Sequence, residues 1–190
     1  MNRTIVIKST LPTDSRLSNR KYDYVDSFQG TFLDQENKIT SVDVTRAFFS
    51  SAPKWVGELF KLRNKAVSLF GLKTSGDSSS REKQLEHFKC EPGERLGLFK
   101  VFDKTESEVI LGENDKHLNF RVSLFLKQDI NQLNKKVLII STTVEFNNAF
   151  GRLYFLPVQP FHNLIVPAML KGIINQLEQQ NGQELSLFLH

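Results

Sequence analysis

Residues 117–127 have the cleanest alternation in the chain. Leu118, Phe120, Val122, Leu124 and Leu126 share one parity, and His117, Asn119, Arg121, Ser123 and Lys127 share the other. Successive side chains of an extended chain point to opposite faces, so this period of two marks a strand with one apolar face and one polar face. Such a strand belongs to an antiparallel sheet whose apolar side is covered by something else. Residues 131–136 turn the chain, and 137–146 alternate again, with Leu138, Ile140, Thr142, Val144 and Phe146 on one side and Ser141, Thr143 and Glu145 on the other. Short connections between alternating runs predict neighbouring strands in a meander.

The other strands are predicted at Ile5–Ser9 as an edge, Tyr22–Phe32, Leu96–Phe102, Glu108–Leu111 and Gly151–Val158, the last closing the sheet. Asp26 shares the parity of Tyr22, Tyr24, Phe28 and Phe32, which places it either at an edge or at a polar part of a cavity, and the edge is the simpler expectation. The cover for the apolar face is a helix predicted from Phe161, where Ile165, Val166, Met169, Leu170, Ile173, Ile174 and Leu177 form a broad stripe, with Pro167 in its first two turns and Gly182 at its end. Residues 183–190 are compatible with a further strand or a docked tail. Shorter helices are predicted at Val44–Ser50, capped by Ser41 or Asp43, at Pro53–Phe70, and at Arg81–Phe88 behind a Ser79/Glu82 capping box. The fold class is α+β, a curved antiparallel sheet wrapped around a long C-terminal helix, with two shorter helices after the first strand.

At 190 residues the chain is expected to form one domain, and sixteen Phe compensate for an apolar fraction of 39%. One cysteine, Cys90, excludes an internal disulfide framework and a Cys-rich metal site, and suits the cytoplasm. No apolar run is long enough for a signal-peptide core or a membrane span, so a soluble protein is expected. The net charge of +4 is spread over interleaved acids and bases. Nucleic acid is therefore not expected as a partner, and Lys54, Lys61, Arg63, Lys65 and Lys73 read as a solvated helix face.

The order of elements resembles the helix-grip fold of the SRPBCC superfamily, which includes START-type lipid-transfer domains, birch-pollen-allergen-like proteins and polyketide cyclases. The phrases YDYVDSF at 22–28, PGERLGLF at 92–99, VILGENDKHLNFRVSL at 109–124, and GRLYF with PFHNLIVPAMLK across 151–171 are similar to an uncharacterised bacterial family, a domain of unknown function. Together they cover about residues 22–171. The wider resemblance implies a cavity between sheet and last helix that takes an apolar or amphipathic small molecule or a lipid; one fold serving many ligand classes lends no single chemistry.

The lining expected from this arrangement is Phe28, Phe120, Val144, Tyr154, Phe155, Val166, Met169 and Ile173, with Trp55 and Phe60 near the entrance. His117 and Arg121 on one strand face, and Arg152 and His162 beside Asn147, Asn148, Tyr154 and Asn163, are the candidate polar anchors. His162 and Asn163 at a helix start serve either an anionic head group or simple capping. Arg121 and His117 either face the cavity or form surface pairs with acids such as Glu145, and Arg152 either anchors a ligand or pairs with a surface acid. Catalytic residues are not assigned: no nucleophile elbow, zinc motif or phosphate loop is present, although Tyr24 and Asp26 with His117 would make an acid–base set. No cofactor or metal is expected. Three readings follow: a binding module for a small hydrophobic ligand, a cyclase- or hydrolase-like enzyme using Tyr24, Arg121 or His162 in the same cavity, and a homodimeric interaction protein with a filled core.

Overall fold

The computed structural model describes residues 4–58 and 81–188, and of residues 81–83 and 182–188 it describes the backbone. The predicted helix beyond residue 58, with Phe60, Arg63, Val67 and Phe70, the connector 73–80 and the Ser79 cap lie outside the described residues, as do 189–190.

Seven strands form one antiparallel sheet: β1 (Val6–Lys8), β2 (Tyr24–Leu33), β3 (Arg95–Leu96), β4 (Phe99–Lys104), β5 (Glu108–Asn114), β6 (Leu118–Gln128) and β7 (Lys135–Phe146). Their spatial order is β1-β2-β7-β6-β5-β4-β3. The run β3 to β7 is the expected meander, and β2 returns to lie against its last strand, with Phe28 opposite Ile140 and Asp26 opposite Thr142. β2 is therefore interior to the sheet, and Asp26 is not at an edge: it is 5% exposed on the face that carries Phe28 and Phe32.

Helix α1 (Ser41–Ser50) follows β2, and its cap is Thr40 rather than Ser41 or Asp43. The Thr40 hydroxyl accepts from the Asp43 amide while the Asp43 carboxylate accepts from the Thr40 amide, a capping box that satisfies two otherwise orphaned donors. Residues 54–58 are helical (α2), and α3 spans Arg81–His87.

The largest departure from expectation is α4, which runs from Ala149 to Phe188. The predicted strand Gly151–Val158 is its first turns, the predicted break at Pro157 and Pro160 lies inside it, and the predicted tail from 183 continues it to 188. Asn148 starts the helix: its Oδ1 accepts from the Gly151 amide at 3.1 Å, the bond an N-cap side chain makes to N3. Gly151 also passes the His117 carbonyl so closely that a β-carbon would stand 2.0 Å from that oxygen, so the helix can begin here only on a glycine. Each interior proline removes one helical hydrogen bond. Pro157 and Pro160 are exposed, a placement that leaves the carbonyls they orphan close to solvent.

The even-numbered face of β6 turns to the core, as predicted, and α1 lies against it, while α4 packs chiefly on β2 and on α1. Phe28, Phe32, Leu111, Val122, Leu124, Leu138 and Ile140 from the sheet share one apolar cluster with Val44 and Phe49 of α1 and with Val166, Met169, Leu170, Ile173, Ile174 and Leu177 of α4. Each such side chain contributes about 1.5–3 kcal/mol on burial. The opposite face of the sheet carries a small cluster of Phe125, Val137 and Ile139, and residues from the 9–23 segment attach near it. The arrangement is the expected α+β curved antiparallel sheet with its long C-terminal helix packed across it.

Candidate functional site

The core cluster closes around the C-terminal half of α4 and leaves a different environment at the other end. There Phe155, which is buried, packs edge-on against Tyr24 with ring centroids 4.8 Å apart. It also lies 5.7 Å from Phe146 and 6.0 Å from His162. Val144 is fully enclosed beside Tyr24 in the β2–β7 register. Strands β2 and β7 supply Tyr24, Asp26, Val144 and Phe146; α4 supplies Phe155 and His162.

Within this aromatic surround stands one carboxylate. Asp26 Oδ2 accepts from the Tyr24 hydroxyl at 2.8 Å and lies 3.2 Å from His162 Nδ1. Asp26 Oδ1 is buried and has no hydrogen-bond partner among the described residues. Tyr24 and His162 cover it, and both are only half-buried; the His162 side chain keeps 20% of its surface exposed against 3% for that of Asp26. Burial raises the Tyr24 phenol well above its usual range, and the hydrogen bond to Asp26 and the carboxylate's charge push the same way. Tyr24 is therefore a protonated donor. A neutral His162 that donates to Asp26 through Nδ1 keeps Nε2 as an acceptor.

The other candidates separate into groups. Phe28, Val166, Met169 and Ile173 belong to the core cluster, and Phe120 packs on its edge, 5.8 Å from Phe99. Tyr154 is half-buried, and Trp55 is 44% exposed next to the buried Val56. Phe60 lies outside the described residues. Arg121 is held on the sheet's other face: it donates to the Glu113 and Phe120 carbonyls and to Asn114 Oδ1, and its guanidinium lies 3.5 Å above the Phe102 ring. His117 pairs with Asn148 at 3.2 Å and stacks near Phe150, so it supports the start of α4 and is not the partner of Asp26. Arg152 lies 3.7 Å from Asp23 and 5.7 Å from the Phe146 ring, on the surface. His162 sits thirteen residues beyond the first residue of α4, so it neither caps the helix nor receives the field of its N-terminus.

Three other buried acids have partners. Glu108 accepts from Ser15 and Ser123 hydroxyls at 2.5 Å each and from the Arg16 amide at 2.8 Å. Asp34 pairs with Lys136 at 2.8 Å and accepts from the Lys38 and Ile39 amides. Glu113 pairs with Arg95. Asp26 alone among these acids keeps an unpartnered oxygen. Cys90 is wholly buried in the core cluster and burial pushes its thiol up to about 11, against the pull of Arg46 and Lys104.

Sequence reasoning missed the Asp26–His162 pairing because it started the helix twelve residues late. Once the helix is continuous from Ala149, His162 falls seven residues after Phe155 and four before Val166, on the same buried stripe. The Asn148 cap was the available signal.

Among the described residues, no group of three or more His, Cys, Asp or Glu is placed to hold a metal ion, and no helix is long and apolar enough to cross a membrane. No curated protein and no solved structure matches the chain. Residues 18–169, a span that contains Tyr24, Asp26, Phe155 and His162, match the model of a family described as a protein of unknown function, DUF2867, and the chain belongs to that family.

Proposed function

We propose that this protein binds a small amphipathic molecule, such as a lipid or an apolar metabolite, between the sheet and the N-terminal half of α4. The ligand's polar end meets Asp26, Tyr24 and His162, and its apolar body lies along Phe155, Val144 and Phe120. The observation that carries the reading is the unpartnered Asp26 oxygen inside an aromatic surround. A buried acceptor without a donor costs about 1–3 kcal/mol, a penalty that a ligand's donor removes. The resemblance of the element order to helix-grip domains supports the same location, since those domains carry ligands between sheet and last helix.

A second reading is favoured by the Asp26–His162 contact. A carboxylate that orients an imidazole through Nδ1 leaves Nε2 able to take a proton from a substrate, with Tyr24 as a donor beside it, the elements of acid–base turnover. Binding comes first in both readings, so one experiment addresses them.

Native mass spectrometry of protein purified from its expression host, with organic extraction of any adduct, is expected to show a bound amphipath. Adding that compound to ligand-free protein is expected to raise the melting temperature and to shift the His162 ring resonances. A clean ligand-free mass, together with no thermal shift across a panel of lipids and apolar metabolites, would reject the binding reading. Conversion of the bound compound, lost in His162→Gln while binding persists, would select the enzyme.

A further inference from the structure

The chemistry around Asp26 specifies the ligand's head group, an inference that rests on the binding reading above. Oδ2 already has two neighbours, the Tyr24 hydroxyl and His162 Nδ1, so the carboxylate has one vacant acceptor, Oδ1. The Asp26 side chain is 3% exposed, and the only cationic or potentially cationic group within ion-pair distance of it among the described residues is His162. Opposite Asp26 on β7 stands Thr142, also buried, and the nearby rings are those of Tyr24 and Phe155. A carboxylate in such surroundings disfavours an anionic head group by like-charge repulsion and favours one that brings both an N–H donor and positive charge. The faces of Tyr24 and Phe155 suit a cation as well.

We infer that this site takes a protonated primary or secondary amine carried on an apolar body, with the ammonium donating to Asp26 Oδ1 between Tyr24 and His162. A hydroxyl head group supplies the donor without the charge. A quaternary ammonium supplies the charge without the donor. A carboxylate supplies neither. The four head groups therefore rank differently for this site than for a merely apolar crevice, where chain length alone decides.

The test is calorimetric titration of the protein with octylamine, 1-octanol, octanoate and octyltrimethylammonium, all below their aggregation limits. Octylamine is expected to bind at least ~10-fold more tightly than the alcohol and the quaternary ammonium, each step of that size being about 1.4 kcal/mol, and octanoate most weakly. In Asp26→Asn the advantage of octylamine over 1-octanol is expected to vanish. Should Asp26→Asn fail to fold, the ranking in the unaltered protein decides, together with Tyr24→Phe, in which the carboxylate remains and the amine preference is expected to persist. Octanoate or octyltrimethylammonium binding as tightly as octylamine would overturn the assignment while leaving an amphipath-binding protein. Absence of binding by all four, together with a ligand-free native mass and no thermal shift across the wider panel, would remove the binding reading and this inference with it.

Discussion

Tyr24 and Cys90 show how burial sets the chemistry of single side chains here, with opposite consequences for function. The Tyr24 phenol is raised by burial, then by its bond to the Asp26 carboxylate, and Tyr22 is raised by burial as well. A folded-state pKa above the unfolded value means that the folded chain keeps a proton which the unfolded chain releases. The associated stability is complete below about pH 10 and is lost as the pH climbs past it. Urea midpoints measured from neutral pH to pH 11 should fall along this alkaline limb, and Tyr24→Phe should make the limb shallower; an identical slope in the variant would contradict the coupling. Cys90 has no such partnership with a site. It occupies a left-handed backbone conformation, φ 59°, with no exposed surface, and its thiol is pushed up to about 11 by burial. A thiolate-selective reagent at pH 8 should label it only on unfolding, because little thiolate exists and none is accessible; rapid labelling of the folded protein would show that the segment around Cys90 opens freely.

Helix α4 carries the most consequential packing among the elements. It crosses β2 over Gly30, where a β-carbon would stand 2.6 Å from Ile174 Cδ1 and 3.3 Å from the Ile5 carbonyl. The missing side chain lets the helix approach the sheet closely enough to enclose Leu170, Ile173, Ile174 and Leu177. Gly30→Ala should therefore cost about 1–3 kcal/mol through overpacking. Ile174→Val, which deletes the clashing methyl, should cost about 0.5–1.5 kcal/mol alone. Combined, they should cost less than their sum, and strict additivity in chemical denaturation would place the clash elsewhere. The N-terminal half of the same helix keeps Leu153, Leu156, Phe161 and Leu164 exposed, along with Pro157 and Pro160. Those prolines are why the sequence reads as a strand followed by a break. Local propensity disfavours a helix at 151–160, and the Asn148 cap, the close fit of Gly151 and the burial of Phe155 override it.

Across the whole molecule, segment 9–23 and helix α4 lie on opposite faces of the sheet, while Thr4, ahead of β1, donates to Asn175 of α4 at 2.7 Å. Residues 9–23 attach to the face away from α4 through Glu108, which takes the Ser15 hydroxyl and the Arg16 amide from this segment and the Ser123 hydroxyl from β6. Leu17 of this segment is buried, and the Tyr22 hydroxyl donates to the Leu17 carbonyl at 2.9 Å. Glu108→Ala should strand these donors at about 1–3 kcal/mol for each one left unsatisfied. Limited trypsin cleavage at Arg16, Arg20 and Lys21 should then precede cleavage in the sheet, and unchanged resistance there would show that Glu108 does not hold the segment. The alternation of 118–126 and 138–146 and the stripe at 165–177 are local patterns of period 2 and 3.6, and they imply the strands, their inward faces and an amphipathic last helix; that α1 lies over β6 while α4 lies over β2 is decided by tertiary packing. The parity of Arg121 on β6 left a cavity and a surface placement open, and its bonds to the Glu113 carbonyl and Asn114 Oδ1 put it on the face away from the core. Two further things depended on contacts far apart in the chain. One was the true start of α4, set by packing against the His117 turn despite internal prolines. The other was the meeting of Asp26 with His162 across 136 positions. A sequence pattern states which way a side chain faces within its own element; which carboxylate faces which imidazole depends on how the elements pack, and that is a property of the folded molecule alone.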